Sequence, residues 1–306
     1  MIGRWLSEPA PAARLAAMRI LVGVFSTVYL AVRAPVLWAM GDEHPGEWDP
    51  VGVLWWVEDP WSRGALRTLL VTTIVLAALF AAGRAFRLVG PAFAVALLVL
   101  TTHRASGGHM LWFDNLLVLH TLVIGFAPSA DAWVLRQRPA ARIPEPDARY
   151  GWPLRLAAIA TVVTYALAGV AKLRIGGVAW LDGDSMRNHV AYSATRMRVL
   201  GGTPSPLAEP LVEQAWMLPI LAVLTLLIEL GAPLVLLLQR LRWLRWWWIA
   251  LTWSMHVMIA LTMFVVFPYP LAFLAFAPLV ELERVVERWR RRAIGGRAVR
   301  ARSAAA

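Results

Sequence analysis

The chain has 306 residues, of which 59% are hydrophobic and 16% charged, with a net charge of +11, 17 tryptophans and no cysteine. A mean hydropathy of +0.60 excludes a disordered chain and an ordinary water-soluble enzyme, and the missing cysteines exclude disulfides, thiolate metal sites and a cysteine nucleophile. The positive charge lies between apolar blocks, where membrane topology accounts for it, so no nucleic-acid partner is expected.

In chain order, Met1 to Arg14 is rich in Pro and Ala and lacks the apolar run of a cleaved leader, so the first helix is expected to act as the insertion signal. Predicted spans follow at Leu15 to Val32, Thr68 to Gly83, Leu88 to Thr102, Leu111 to Ala130, Trp152 to Leu173, Trp216 to Gln239, Trp246 to Phe267 and Pro268 to about Leu282. The expectation is therefore an all-α polytopic bundle of about eight transmembrane helices, since about 20 apolar residues cross the roughly 30 Å hydrocarbon layer. Several of these stretches are short, which requires flanking arginines to snorkel.

Arginine placement orients the bundle. Numbering the loops alternately from a cytoplasmic N-terminus assigns 20 arginines to one side and 8 to the other, with Arg19 inside the first helix. The positive-inside bias then makes both termini cytoplasmic. The organisation expected is a cytoplasmic segment 1–14, a transmembrane domain 15–282 and a basic cytoplasmic tail 283–306. The long outer loops, about Ala34 to Arg67 and Arg174 to Ala215, are the places with enough chain to shape a site, so chemistry is expected to face outward. No repeat of fixed period is visible.

Ionisable groups inside spans are costly, so each needs a partner or a task. Arg19, Asp114, His120, Glu229 and His256 qualify. An interior ion pair such as Arg19 with Glu229 is one reading of the charges, with proton handling by Arg19, Asp114 and Glu229 as the other. His120 reads as a histidine satisfied by a backbone carbonyl, whereas for His256 that reading and a site role both stand. The histidines His44, His103, His109, His120, His189 and His256 have no ligand spacing, and no metal is expected. Phosphate loops and nucleophile elbows are absent as well.

Lys172 is the only lysine, against 29 arginines. Arginine cannot be deprotonated, whereas a lysine amine buried among apolar groups becomes available as a base. Ala166, Ala168, Gly169 and Ala171 around it allow a close helix contact that excludes water. A lysine snorkelling to the interface is the alternative.

The pattern Tyr165-x-x-Ala168-Gly169-x-x-Lys172-Leu173, followed by Trp180-x-x-Gly183-x-Ser185-Met186, resembles the core of the vitamin K-dependent gamma-carboxylase and hence the HTTM family of membrane proteins. Leu15 to Gly23 with its internal Arg19, Phe113-Asp114-Asn115, and His256 followed by Phe264-x-x-Phe267-Pro268-Tyr269 resemble further family segments in the same order, so the likeness covers most of residues 10 to 282. The resemblance implies a quinol cofactor, vitamin K hydroquinone or menaquinol, with Lys172 as the base that deprotonates it and Asn115 orienting its oxygen. His256 would share the catalytic site, and Tyr165, Trp180 and Met186 would bind the cofactor. Leu116 stands where the carboxylase has a histidine, and the short segment after the membrane domain makes protein carboxylation unexpected.

Three functions follow. The first is a quinol-dependent enzyme acting at the extracytoplasmic face of a bacterial plasma membrane on a small molecule or secreted peptide. The second is a non-carboxylating maturation or export partner for a secreted peptide. The third is a channel or transporter, which the absence of inverted repeats disfavours. Membrane lipid is a partner in all three.

Overall fold

In the computed structural model the described residues are 2–41, 45–108, 112–135, 145–214, 216–238, 241–286 and 288. His44, His109, Arg136, Arg138, Arg142, Arg240 and the basic tail beyond 288 lie outside them. The described residues form helices and 3-10 turns without a strand, apart from one isolated antiparallel bridge between Ala10 and Asp147. They divide into two compact units, Met1–Ala157 with Ala277–Ala306, and Ala158–Phe276.

The first unit opens with α1, Ile2–Leu6, and α2, Ala12–Trp38, whose start is set by Pro11 in extended conformation. Helix α3, Arg63–Ala82, begins where the Ser62 side chain accepts from the Ala65 N–H, an N-cap that satisfies one of the orphan amides of the first turn. Helix α4 runs Phe86–Ser106 and α5 runs Asn115–Gly125. The run predicted as one span from Leu111 to Ala130 is thus shorter, entered through a 3-10 turn at Trp112–Asp114. Pro128 explains its early end, because a proline disfavours helical geometry in the residue before it.

Arg19 is fully buried in α2. Its Nη2 donates to the Trp133 carbonyl at 2.7 Å and its Nη1 to the Phe80 carbonyl at 3.4 Å. The expected pairing with Glu229 is replaced by main-chain acceptors, and Phe80 lies in the last turn of α3, where a cation complements the helix dipole. Near the chain ends, Arg14 makes a two-pronged contact with Glu283, Nε to Oε2 at 2.8 Å and Nη2 to Oε1 at 2.5 Å.

Helix α6, Ala148–Gly176, enters the second unit and ends in a 3-10 turn, Gly177–Trp180. The predicted outer loop from Arg174 to Ala215 contains α7, Asp184–Val199, and α8, Ala208–Glu213. Val190 and Ala194, one turn apart on α7, pack against Ala208 of α8. The run from Trp216 to Gln239 is interrupted, giving α9, Met217–Leu230, and α10, Ala232–Leu237. Pro233 causes the break, since it has no N–H to bond back one turn. The Ile228 carbonyl beside the break accepts from the Trp248 indole Nε1 at 2.9 Å. Helices α11, Arg242–Met263, and α12, Pro268–Leu271, complete the unit.

Among the described residues, four helical segments are long and apolar enough to cross a membrane: Ala12–Trp38, Arg63–Ala82, Phe86–Ser106 and Ala148–Trp180. Helices α5 and α9 are apolar but shorter, at 11 and 14 residues. Helix α11, at 22 residues, has the length but is not one of these four. The last predicted span, from Pro268, is a four-residue helix and a 3-10 turn, Leu274–Leu279. The protein is an all-helical integral membrane protein.

Candidate functional site

Tyr165 and Lys172 are seven residues apart on α6, which is about two turns, so both face the same side about 10 Å apart along the axis. Gly169 lies between them. Its missing side chain lets α9 approach, because a Cβ there would stand 2.9 Å from Leu230 Cδ2 and 3.0 Å from Glu229 Cβ. That approach delivers Glu229 to Lys172, whose Nζ donates to Oε1 at 2.6 Å and to Oε2 at 2.8 Å.

The Lys172 side chain is 24% exposed and that of Glu229 5%. The ammonium in the last turns of α6 suits the negative end of that dipole, whereas a carboxylate in the last turn of α9 is disfavoured and needs the cation. The amine expected to sit among apolar groups alone therefore has a carboxylate partner. One turn beyond Lys172, Gly176 makes room for Trp180 to fold back, since a Cβ there would collide with the indole. The Trp180 ring takes Nζ at 5.5 Å from its centroid. Trp180 also packs with Ala222 and Leu226 of α9, and Met186 covers that cluster.

Two turns earlier on α6, Tyr165 Oη and His256 Nε2 of α11 share a hydrogen bond of 2.9 Å. The tyrosine ring meets Trp248 edge-on at 5.3 Å and stacks on Phe276 at 6.1 Å, while His256 lies 4.8 Å from Phe267. His256 is buried, and its Nδ1 has no hydrogen-bond partner among the described residues. Six of the sequence-predicted residues thus fall in two groups of the second unit, Tyr165 with His256, and Lys172 with Glu229, Trp180 and Met186.

Asn115, Asp114, Arg19 and His120 belong to the first unit. Asp114 accepts from Tyr29 Oη at 2.7 Å and from Arg104 Nη2 at 2.5 Å. Arg104, read as a loop residue, is 7% exposed in the last turn of α4. Both charges suit their helix ends, a cation at the C-terminus of α4 and an anion at the start of α5. Asn115, beside Asp114, is exposed. His120 Nε2 lies 3.0 Å from the Ala157 carbonyl, the main-chain partner expected for it. Sequence reasoning missed Tyr29, Arg104 and Trp248. The apolar context of Tyr29, three residues ahead of the end of the predicted span at Val32, was the available signal for the first. Among the described residues no group of three or more His, Asp or Glu is placed to hold a metal ion.

A helical membrane protein with a half-buried amine and a buried carboxylate and imidazole in one unit is the class these observations define. The HTTM domain profile matches residues 7–282, and the chain belongs to the HTTM domain family. Comparison with curated proteins and with solved structures gives no match.

Proposed function

We propose that the protein is a membrane enzyme acting on a lipid-soluble quinol, in the manner of the vitamin K-dependent gamma-carboxylase core, with Lys172 as the base. The observation carrying this reading is the Lys172–Glu229 pair in the same unit as a buried histidine whose Nδ1 has no partner. These residues fit a quinol: an amine for one hydroxyl, a ring nitrogen for a polar atom, and the Trp180 face and Met186 for an aromatic ring. A quinol bound there supplies the electrons for reaction with oxygen.

The chain's own contribution is proton handling. Nζ takes the hydroxyl proton after passing its own to the Glu229 carboxylate, whose Oε1 lies 2.6 Å away. Tyr165 holds Nε2 of His256, so a tautomer with hydrogen on Nδ1 can donate to the ligand. Packing of Trp180 against α9 covers one side of the amine. Asn115, exposed in the first unit, enters on the family motif alone. The arginine split supports cytoplasmic termini and an outward-facing site, and a bacterial plasma membrane belongs to the same reading.

The test is oxygen uptake by purified protein in nanodiscs supplied with reduced menaquinone or a vitamin K analogue. Uptake in wild type, lost by about 10² to 10⁴ in Lys172→Arg and Lys172→Ala, is expected of a general base. No quinol-dependent uptake in wild type overturns the reading. One observation favours a second function, a maturation or export partner for a secreted peptide: the amine is already paired with Glu229, as a structural staple would be. In that case Lys172→Arg keeps biological activity.

A further inference from the structure

We propose that the connection between α2 and α3 is a bilayer-interface anchor, with Val53, Trp55 and Trp56 inserted among lipid headgroups. The connection 39–62, which includes the segment 45–62, joins two helices that are long and apolar enough to span a membrane, so both its ends lie at the depth where hydrocarbon gives way to headgroups. It is not a slack loop. The Asp49 N–H donates to the Ser106 carbonyl at 2.8 Å, the Val51 N–H to Ser106 Oγ at 3.1 Å, and the Trp61 N–H to His103 Nε2 at 3.1 Å. Trp48 Nε1 donates to the Val57 carbonyl at 2.9 Å, and Leu54 and Val57 are buried.

With that inner face fixed, the outer face is fixed too, and it is apolar. Trp55 is 75% exposed, Trp56 65% and Val53 46%. The Trp56 indole Nε1 donates to the Val53 carbonyl, which ties these two together beside Trp55. The Trp55 indole has no hydrogen-bond partner among the described residues, so its N–H is left for a lipid ester or phosphate oxygen. An indole with an apolar body and one donor is the side chain that settles at this boundary.

Charge narrows the partner further. Segment 45–62 holds Glu47, Asp49, Glu58 and Asp59 and no Lys or Arg. Attraction to anionic lipid, which works through basic clusters, is therefore not the driving force. The surface fits a zwitterionic headgroup layer, entered by burial of the indoles.

The absence of cysteine allows a direct test by single nitroxide labels at Val53→Cys, Trp55→Cys, Trp56→Cys, Glu58→Cys and Asp59→Cys in phosphatidylcholine nanodiscs. Power-saturation measurements should show labels 53, 55 and 56 collided with by oxygen in preference to a nickel chelate, and labels 58 and 59 the reverse. Added phosphatidylglycerol should not deepen the first three. Nickel preference at 53, 55 and 56 equal to that at 58 overturns the proposal, as does dipolar broadening that assigns the patch to a second copy. The Val53→Cys protein keeps every tryptophan, so its result stands even if the Trp variants fold poorly.

Discussion

Lys172 Nζ touches both carboxylate oxygens of Glu229, at 2.6 and 2.8 Å, across the groove that Gly169 opens between α6 and α9. The amine singled out by the sequence is thus one half of a pair. Its partner decides both how stable this part of the fold is and when a proton can be taken.

Glu229→Ala should be strongly destabilising, because it strands a cation in apolar surroundings. Breaking a fully buried pair costs about 3–5 kcal/mol, and the partial exposure of Lys172 places this one at the lower end. The swapped variant Lys172→Glu with Glu229→Lys should recover part of that loss in thermal unfolding, while quinol-dependent oxygen uptake stays absent. Recovery of uptake in the swap would sink the assignment of Lys172 as the base.

Gly169→Leu should push α6 from α9 and separate the pair. Even a single Cβ there stands 2.9–3.0 Å from α9 side chains, and overpacking of this kind costs about 1–3 kcal/mol. A lowered midpoint of thermal unfolding in detergent checks this; an unchanged midpoint would mean that the helices are not in close contact.

Tyr165→Phe removes the hydroxyl that fixes His256 while keeping the ring against Trp248 and Phe276. Stability should fall by about 1 kcal/mol. If His256 presents its second nitrogen to a quinol, KM for the quinol should rise more than kcat falls, whereas a purely structural tyrosine would leave KM unchanged.

Asp114→Asn should destabilise the first unit by up to about 3–5 kcal/mol, since Arg104 would then be buried without an anion. Tyr29→Phe, which removes one neutral donor from the same carboxylate, should cost about 1 kcal/mol. Equal effects of the two substitutions on thermal unfolding would contradict the ion pair as the main contact.

The helical membrane class was legible because apolar blocks of spanning length need no tertiary information. Lys172 stood out by chemistry, and the His120 carbonyl contact followed from the need to satisfy a buried ring. Partners were harder. Arg19 and Glu229 looked like natural mates, yet guanidinium donors are equally served by the carbonyls of Phe80 and Trp133. Glu229 read as the middle of a long run until Pro233 is given its weight, which moves it to a helix end. Arg104 broke an apolar stretch and so read as loop, whereas the charge is buried because Asp114 waits for it. Helix α7 stayed hidden since its buried side is only Val190 and Ala194.

At the junction of α9 and α10, the Ile228 carbonyl takes its hydrogen from the Trp248 indole, a side chain of α11. A neighbouring helix has thereby been written into the main-chain ladder of this one. Bending at the joint and sliding of α11 cannot occur independently: either the indole travels with the carbonyl, or a lone oxygen is left in oil.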